Sequence, residues 1–186
     1  MSIERRPDAL SIRRFPMFVF GTADDVFAMA VRIEENGHAF YQGAAEKTDN
    51  PEVREIFERL AAMEAGHITA FKAMRARLAG SFPADAVWDP EGLAESYLQA
   101  TADTHIFAAD DAIGRLQGVD TPMKAFELAI QFEKDSVAFF VGMKHLLPDP
   151  ATKGEIDQLI DSEVEHVRML SRAQKHYEKT RTASIT

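Results

Sequence analysis

Residues 32–67 read RIEENGHAFYQGAAEKTDNPEVREIFERLAAMEAGH, and residues 131–166 read QFEKDSVAFFVGMKHLLPDPATKGEIDQLIDSEVEH. A constant shift of 99 residues places Glu34, Glu64 and His67 on Glu133, Glu163 and His166 with no gap. The match runs outward from there: Thr22, Phe27, Ala30, Ala39, Phe40, Gly43, Pro51 and Leu60 recur as Thr121, Phe126, Ala129, Ala138, Phe139, Gly142, Pro150 and Leu159. With only 6 histidines in 186 residues, two Glu-x-x-His pairs in register with a repeated upstream Glu are not a chance pattern. One helical hairpin is written twice, a unit too long and in too few copies for a solenoid.

The punctuation of each copy supports this. Thr22, followed by Asp25, opens the first helix as cap and early-turn acid, and Thr-Asp-Asn-Pro at 48–51 closes it. Asn50 caps the second helix, which has Pro51 at its first position and runs to about Leu78, before Gly80 and Pro83. Thr121 and Pro122 open the third, Pro148 to Pro150 make the turn, and the fourth continues to about Lys179. The hairpins thus occupy 22–79 and 121–179 of a bundle spanning 21–180, after an N-terminal arm at 1–20. Residues 81–120 have no counterpart in the repeat. Asp89 and Pro90 suggest a helix start, GLAESYLQATADTHIF a short amphipathic helix, and DDAIGRLQG a further turn or two. Such a partly helical crossover lets two hairpins pack as an antiparallel four-helix bundle, and the fold expected is all-α.

On each helix the acid lies inside the apolar stripe. The first reads Phe27, Val31, Glu34, His38, Tyr41, Ala45 at three- and four-residue steps, and the second Leu60, Glu64, His67, Phe71, Met74, Leu78. The third gives Phe126, Ile130, Glu133, Val137, Phe140, and the fourth Ile156, Leu159, Glu163, His166, Leu170. Four carboxylates and two imidazoles therefore converge on one core. Buried together without partners, the carboxylates would repel one another or take up protons; two divalent cations remove that penalty. The i, i+3 step sets Glu64 beside His67 on one face, so a single helix offers an oxygen and a nitrogen to neighbouring ions. Six ligands are expected, holding two metals about 3.5–4 Å apart.

Composition narrows the alternatives. The formal charge of −9 opposes nucleic-acid binding, and no apolar run approaches the roughly 20 residues of a membrane span. FPMFVF, within the arm, is too short for the apolar region of a signal peptide. The absence of cysteine excludes disulfides, thiolate zinc sites and iron–sulfur centres within this sequence, and the expected location is the cytoplasm. There is no β-periodic run, glycine-rich phosphate loop or nucleophile elbow.

One Glu from each of two helices plus Glu-x-x-His from each of the other two is the ligand pattern of ferritin-like di-iron carboxylate proteins. RIEENGHAFYQGAAEKTDNPEVREIFERLAAMEAGH and its echo AIQFEKDSVAFF…EVEH resemble the rubrerythrin branch of that superfamily over roughly residues 22–179. The resemblance implies a ferritin-like bundle in which Glu34 with His67 holds one iron, Glu133 with His166 the other, and Glu64 and Glu163 bridge them. Manganese or zinc would suit the same ligands. Two departures stand out: with no cysteine in these 186 residues the rubredoxin domain of full rubrerythrins is expected to be absent, and the additional acid that rubrerythrins carry one turn before the third-helix ligand would fall at Ile130.

The implied activity is reduction of hydrogen peroxide or dioxygen, with electrons from an external rubredoxin or flavoprotein. Ferroxidase and iron storage is the second reading, and a non-enzymatic metal-binding bundle the third. Tyr41, seven residues after Glu34, is a candidate hydrogen-bond donor to a ligand carboxylate or the oxidant; its repeat partner is Phe140. His38 and His105 are weaker candidates as added ligands, and His145 and His176 sit where imidazoles meet helix-end carbonyls. Glu127 reads as surface. A homodimer is expected, because YLQATADTHIF and FPMFVF offer apolar surface beyond the bundle core.

Overall fold

Thr22 begins the first helix with a reciprocal cap: its Oγ1 accepts from the Asp25 N–H at 3.2 Å, while the Asp25 carboxylate accepts from the Thr22 N–H at 2.9 Å. Helix α1 then runs Ala23–Lys47. Asn50 Oδ1 accepts from the N–H groups of Glu52 and Val53 at 3.0 and 3.1 Å and starts α2, Pro51–Leu78. After the crossover, Thr121 caps α4, Pro122–Leu146. Asp149 starts α5, Pro150–Ala183, by accepting from the Thr152 N–H at 2.8 Å and hydroxyl at 2.6 Å. The last helix outruns its expected end near Lys179 because neither Gly nor Pro interrupts Thr180 to Ala183.

This is a computed structural model, and it describes residues 22–78, 92–104, 114, 116–147 and 149–183. The arm with FPMFVF, the Asp89–Pro90 helix start, Gly80, Pro83, His105 and Pro148 lie outside these residues. Among those described there is no strand, and no helix is long and apolar enough to cross a membrane.

Helices α1 and α2 pack as one hairpin, α4 and α5 as the other, and the hairpins meet through α2 against α5 and α1 against α4. Among the described residues the protein is a helical bundle of two paired hairpins. Its interior is aromatic: Phe57 meets Phe126 at 5.3 Å between ring centres, Tyr41 stacks on Phe57 at 6.1 Å, and Phe71 meets Phe140 at 4.9 Å. Each such ring, fully buried, contributes about 1.5–3 kcal/mol.

The crossover supplies helix α3, Leu93–Thr104, which lies along α4, and a single 3-10 turn at Leu116–Gly118 against α1. It docks through the two glycines that the repeat aligns. A Cβ on Gly43 would lie 2.6 Å from Leu116 Cδ1, and one on Gly142 would lie 2.6 Å from the Tyr97 ring. Lys47 Nζ donates to the Leu116 carbonyl, and the Tyr97 hydroxyl to the Ala138 carbonyl at 3.1 Å. Gly37 serves a third close approach, where a Cβ would fall 2.5 Å from Phe132 Cζ and force α1 and α4 apart.

Candidate metal centre

The amphipathic stripes of the four long helices carry Glu34 (α1), Glu64 and His67 (α2), Glu133 (α4), and Glu163 and His166 (α5) to the middle of the bundle. All six are buried, and His67, at 8% exposure, is the one that reaches the surface. They form two overlapping groups. Glu34, Glu64, His67 and Glu163 each bring one donor atom within 4.8 Å of the others, and so do Glu64, Glu133, Glu163 and His166. Glu64 and Glu163 belong to both.

The sharing extends to single atoms. His67 Nδ1 lies 2.7 Å from Glu163 Oε1, 3.4 Å from Glu34 Oε2 and 3.6 Å from Glu64 Oε2. His166 Nδ1 lies 2.9 Å from Glu163 Oε2, 3.4 Å from Glu64 Oε1 and 3.5 Å from Glu133 Oε1. Each shared carboxylate thus turns one oxygen to each imidazole. Donors that bind one ion at about 2.0–2.2 Å sit about 3.0–3.5 Å apart at near-tetrahedral or right angles. The observed spacings are of that size.

Both carboxylate oxygens of Glu34, Glu64 and Glu163, together with Glu133 Oε2 and the two Nδ1 atoms, are buried without a hydrogen-bond partner. An unmet buried polar atom costs about 1–3 kcal/mol, and without an ion the set has only its own imidazole–carboxylate contacts, as close as 2.7 Å, to offset that cost. Two divalent ions satisfy the whole set at once. The residues therefore fit a two-metal centre, and the donor chemistry, oxygen-rich with one imidazole per position, suits iron, manganese or zinc.

The metal-free electrostatics have the same pattern. Burial pushes the Glu34 and Glu133 carboxyls well above the usual range, with the Glu64 and Glu163 charges adding to it. Burial acts on Glu163 in the same sense, but the His166 and His67 contacts override it and hold the group well below the usual range. Glu64 is likewise lowered against burial by its contacts with Glu34, His166 and His67. Burial alone would depress both imidazoles, yet the surrounding carboxylates raise His67 strongly and push His166 up to about 12.

Around this cluster the Tyr41 hydroxyl donates to Glu133 Oε1, and burial beside that carboxylate keeps its proton on well beyond the ordinary phenol range. In the repeat, Tyr41 is replaced by Phe140, which has no hydroxyl to offer Glu34, the counterpart of Glu133. His38 does not join the cluster: its Nδ1 lies 2.7 Å from the Ala61 carbonyl, between α1 and α2. His145 is exposed in the last turn of α4, and His176 lies 3.5 Å from Glu52 on the surface. Glu127 is exposed, and Ile130 packs at the edge of the core. Sequence reasoning passed over Ser162, whose Oγ lies 3.0 Å from His67 Nε2 and 3.5 Å from His166 Nε2.

Residues 25–174 match the rubrerythrin family. The crystal structure of a candidate ferritin-like diiron-carboxylate protein from Thermotoga maritima aligns with a TM-score of 0.62, covering 83% of this chain and 95% of that one at 23% identity. That likeness concerns the fold. No curated protein matches the sequence.

Proposed function

The chain belongs to the rubrerythrin family, and on that premise we propose that it is a non-haem di-iron oxidoreductase reducing hydrogen peroxide or dioxygen. The observation that carries this reading is the doubled, buried and unsatisfied donor set, in which Glu64 and Glu163 face both imidazoles. Glu34 and His67 would hold one iron, Glu133 and His166 the other, with Glu64 and Glu163 shared between them. Two ferrous ions held there would supply one electron each, the two that reduce hydrogen peroxide to water or dioxygen to the peroxide level.

The protein's own part is to hold, exclude and donate. Glu64 and Glu163, each turning one oxygen to each imidazole, would hold two ions side by side. Phe71, one turn beyond His67, and Phe140, two turns beyond Glu133, have rings 4.9 Å apart, are both fully buried, and would help keep bulk water from the cluster. Tyr41 fixes Glu133 as a neutral donor. With no cysteine in these 186 residues, a thiolate-ligated electron donor has to lie outside them, and a rubredoxin or a flavoprotein meets that need.

The test is anaerobic loading with Fe(II), metal analysis, and rapid mixing with peroxide and with dioxygen. Two bound irons that oxidise faster than free Fe(II), faster with peroxide, support the proposal. Faster oxidation with dioxygen alone, leading to accumulated ferric mineral, favours ferroxidase and storage instead. Oxidation no faster than that of free Fe(II) leaves a metal-binding bundle.

A further inference from the structure

The imidazoles of His67 and His166 lie nearly parallel, with ring centres 5.3 Å apart and planes inclined by 14°. Their Nδ1 atoms face the carboxylates, so their Nε2 atoms point together in the opposite direction. Between those two nitrogens stands one hydroxyl, Ser162 Oγ, 3.0 Å from His67 Nε2 and 3.5 Å from His166 Nε2. Ser162 belongs to α5, four residues before His166, and reaches His67 only because α2 docks there. The repeat places Met63 opposite it, so this hydroxyl has no twin in the first half.

We propose that Ser162 is a positioning residue that orients both ligand imidazoles at once and thereby ties the two metal positions together. The inference rests on the two-metal reading of the cluster. An imidazole that binds an ion through Nδ1 must carry its proton on Nε2, where it becomes a donor. Two such N–H donors need acceptors, and one hydroxyl oxygen has two lone pairs. Ser162 therefore matches the requirement of both rings, fixes the tautomer that leaves each Nδ1 lone pair aimed at the carboxylates, and holds the ring planes parallel. Outer partners of this kind typically change metal affinity about 10–100-fold when removed. Sharing makes the consequence distinctive, because one substitution must reach both ions.

The experiment uses Zn(II), which is diamagnetic, on the full-length protein. Nitrogen–proton correlation spectra of the loaded wild type should show both His67 and His166 bound through Nδ1 and protonated on Nε2, with the His67 Nε2–H exchanging more slowly because its contact is shorter. Ser162→Ala should weaken both zinc equivalents about tenfold or more and speed exchange of both Nε2–H protons together, and Ser162→Thr should restore them. Wild type that binds two zinc ions, paired with a Ser162→Ala protein of unchanged affinity and exchange, overturns the inference and leaves the metal centre standing. Loss at one imidazole only also overturns it. If either ring binds zinc through Nε2, the wild-type spectra refute it without any variant, and failure of the wild type to take up two ions removes the metal-centre reading as well.

Discussion

The Tyr41 hydroxyl donates to Glu133 across 92 positions of sequence, and both side chains are wholly shielded from solvent. The two halves of the bundle are therefore alike in their candidate donor atoms and unlike in what steadies them. Tyr41→Phe removes one hydrogen bond worth about 1 kcal/mol, a factor of roughly five in rate. Glu163→Ala removes a carboxylate that both positions share. In single-turnover oxidation of the Fe(II)-loaded protein, Glu163→Ala should be the slower variant by a wide margin. A Tyr41→Phe protein as slow as Glu163→Ala would mean that the phenol acts on the oxidant directly.

Replacing His67 and His166 together by Ala removes the only nitrogen donor from each group. The double variant should retain at most one equivalent of metal after loading and desalting, measured by elemental analysis. Retention of two would refute the ligand assignment.

Metal uptake should release protons. In the metal-free protein His67 and His166 are raised far enough to be imidazolium at neutral pH, and Glu34 and Glu133 are raised towards the protonated form. An ion must displace these protons, so binding two divalent ions near pH 7 is expected to release one from each imidazolium, with a further contribution from Glu34 and Glu133 to the extent that they hold protons. Because the metal-free state holds the protons, lower pH favours it, and affinity should fall as pH falls. Titration calorimetry in buffers of different ionisation enthalpy counts them; tighter binding at lower pH would contradict the scheme.

Two glycines on the long helices should respond oppositely to alanine. Gly37→Ala drives a methyl to 2.5 Å from the buried Phe132 ring, an overpacking that costs about 1–3 kcal/mol and outweighs the roughly 0.5–1 kcal/mol by which Ala improves a helix. Around Gly66 nothing lies within 4 Å, so only the helix gain remains. Thermal unfolding of the metal-free variants should move the midpoint down for Gly37→Ala and up for Gly66→Ala, by about 2–4 °C per kcal/mol. A rise in both would show that α1 and α4 have room to separate.

What was legible in the sequence was whatever the repeat states twice. Thr22, Asn50 and Thr121 announced their helices because caps are local chemistry, and the six inward acids and imidazoles were visible as charges on apolar stripes. Asp149 was within reach, since it stands where the repeat has Asn50, but the prolines around it drew the reading to a turn. Ser162 was not: its spacing to His166 is local, yet its contact with His67 exists only once two helices far apart in sequence have docked. The recurrence of Gly43 and Gly142 was plain, while their occupants, Leu116 and Tyr97, come from the segment that has no counterpart. Repeats report what two halves share and are silent about what joins them.

Neither group of four donors is complete on one hairpin. Glu34, Glu64 and His67 must borrow Glu163, and Glu133, Glu163 and His166 must borrow Glu64. An ion in either position would consequently cross-link the halves and would escape only by shedding a ligand from each hairpin. Bound metal would then set the lifetime of the closed bundle, and the rate at which the halves part would limit how fast metal is lost.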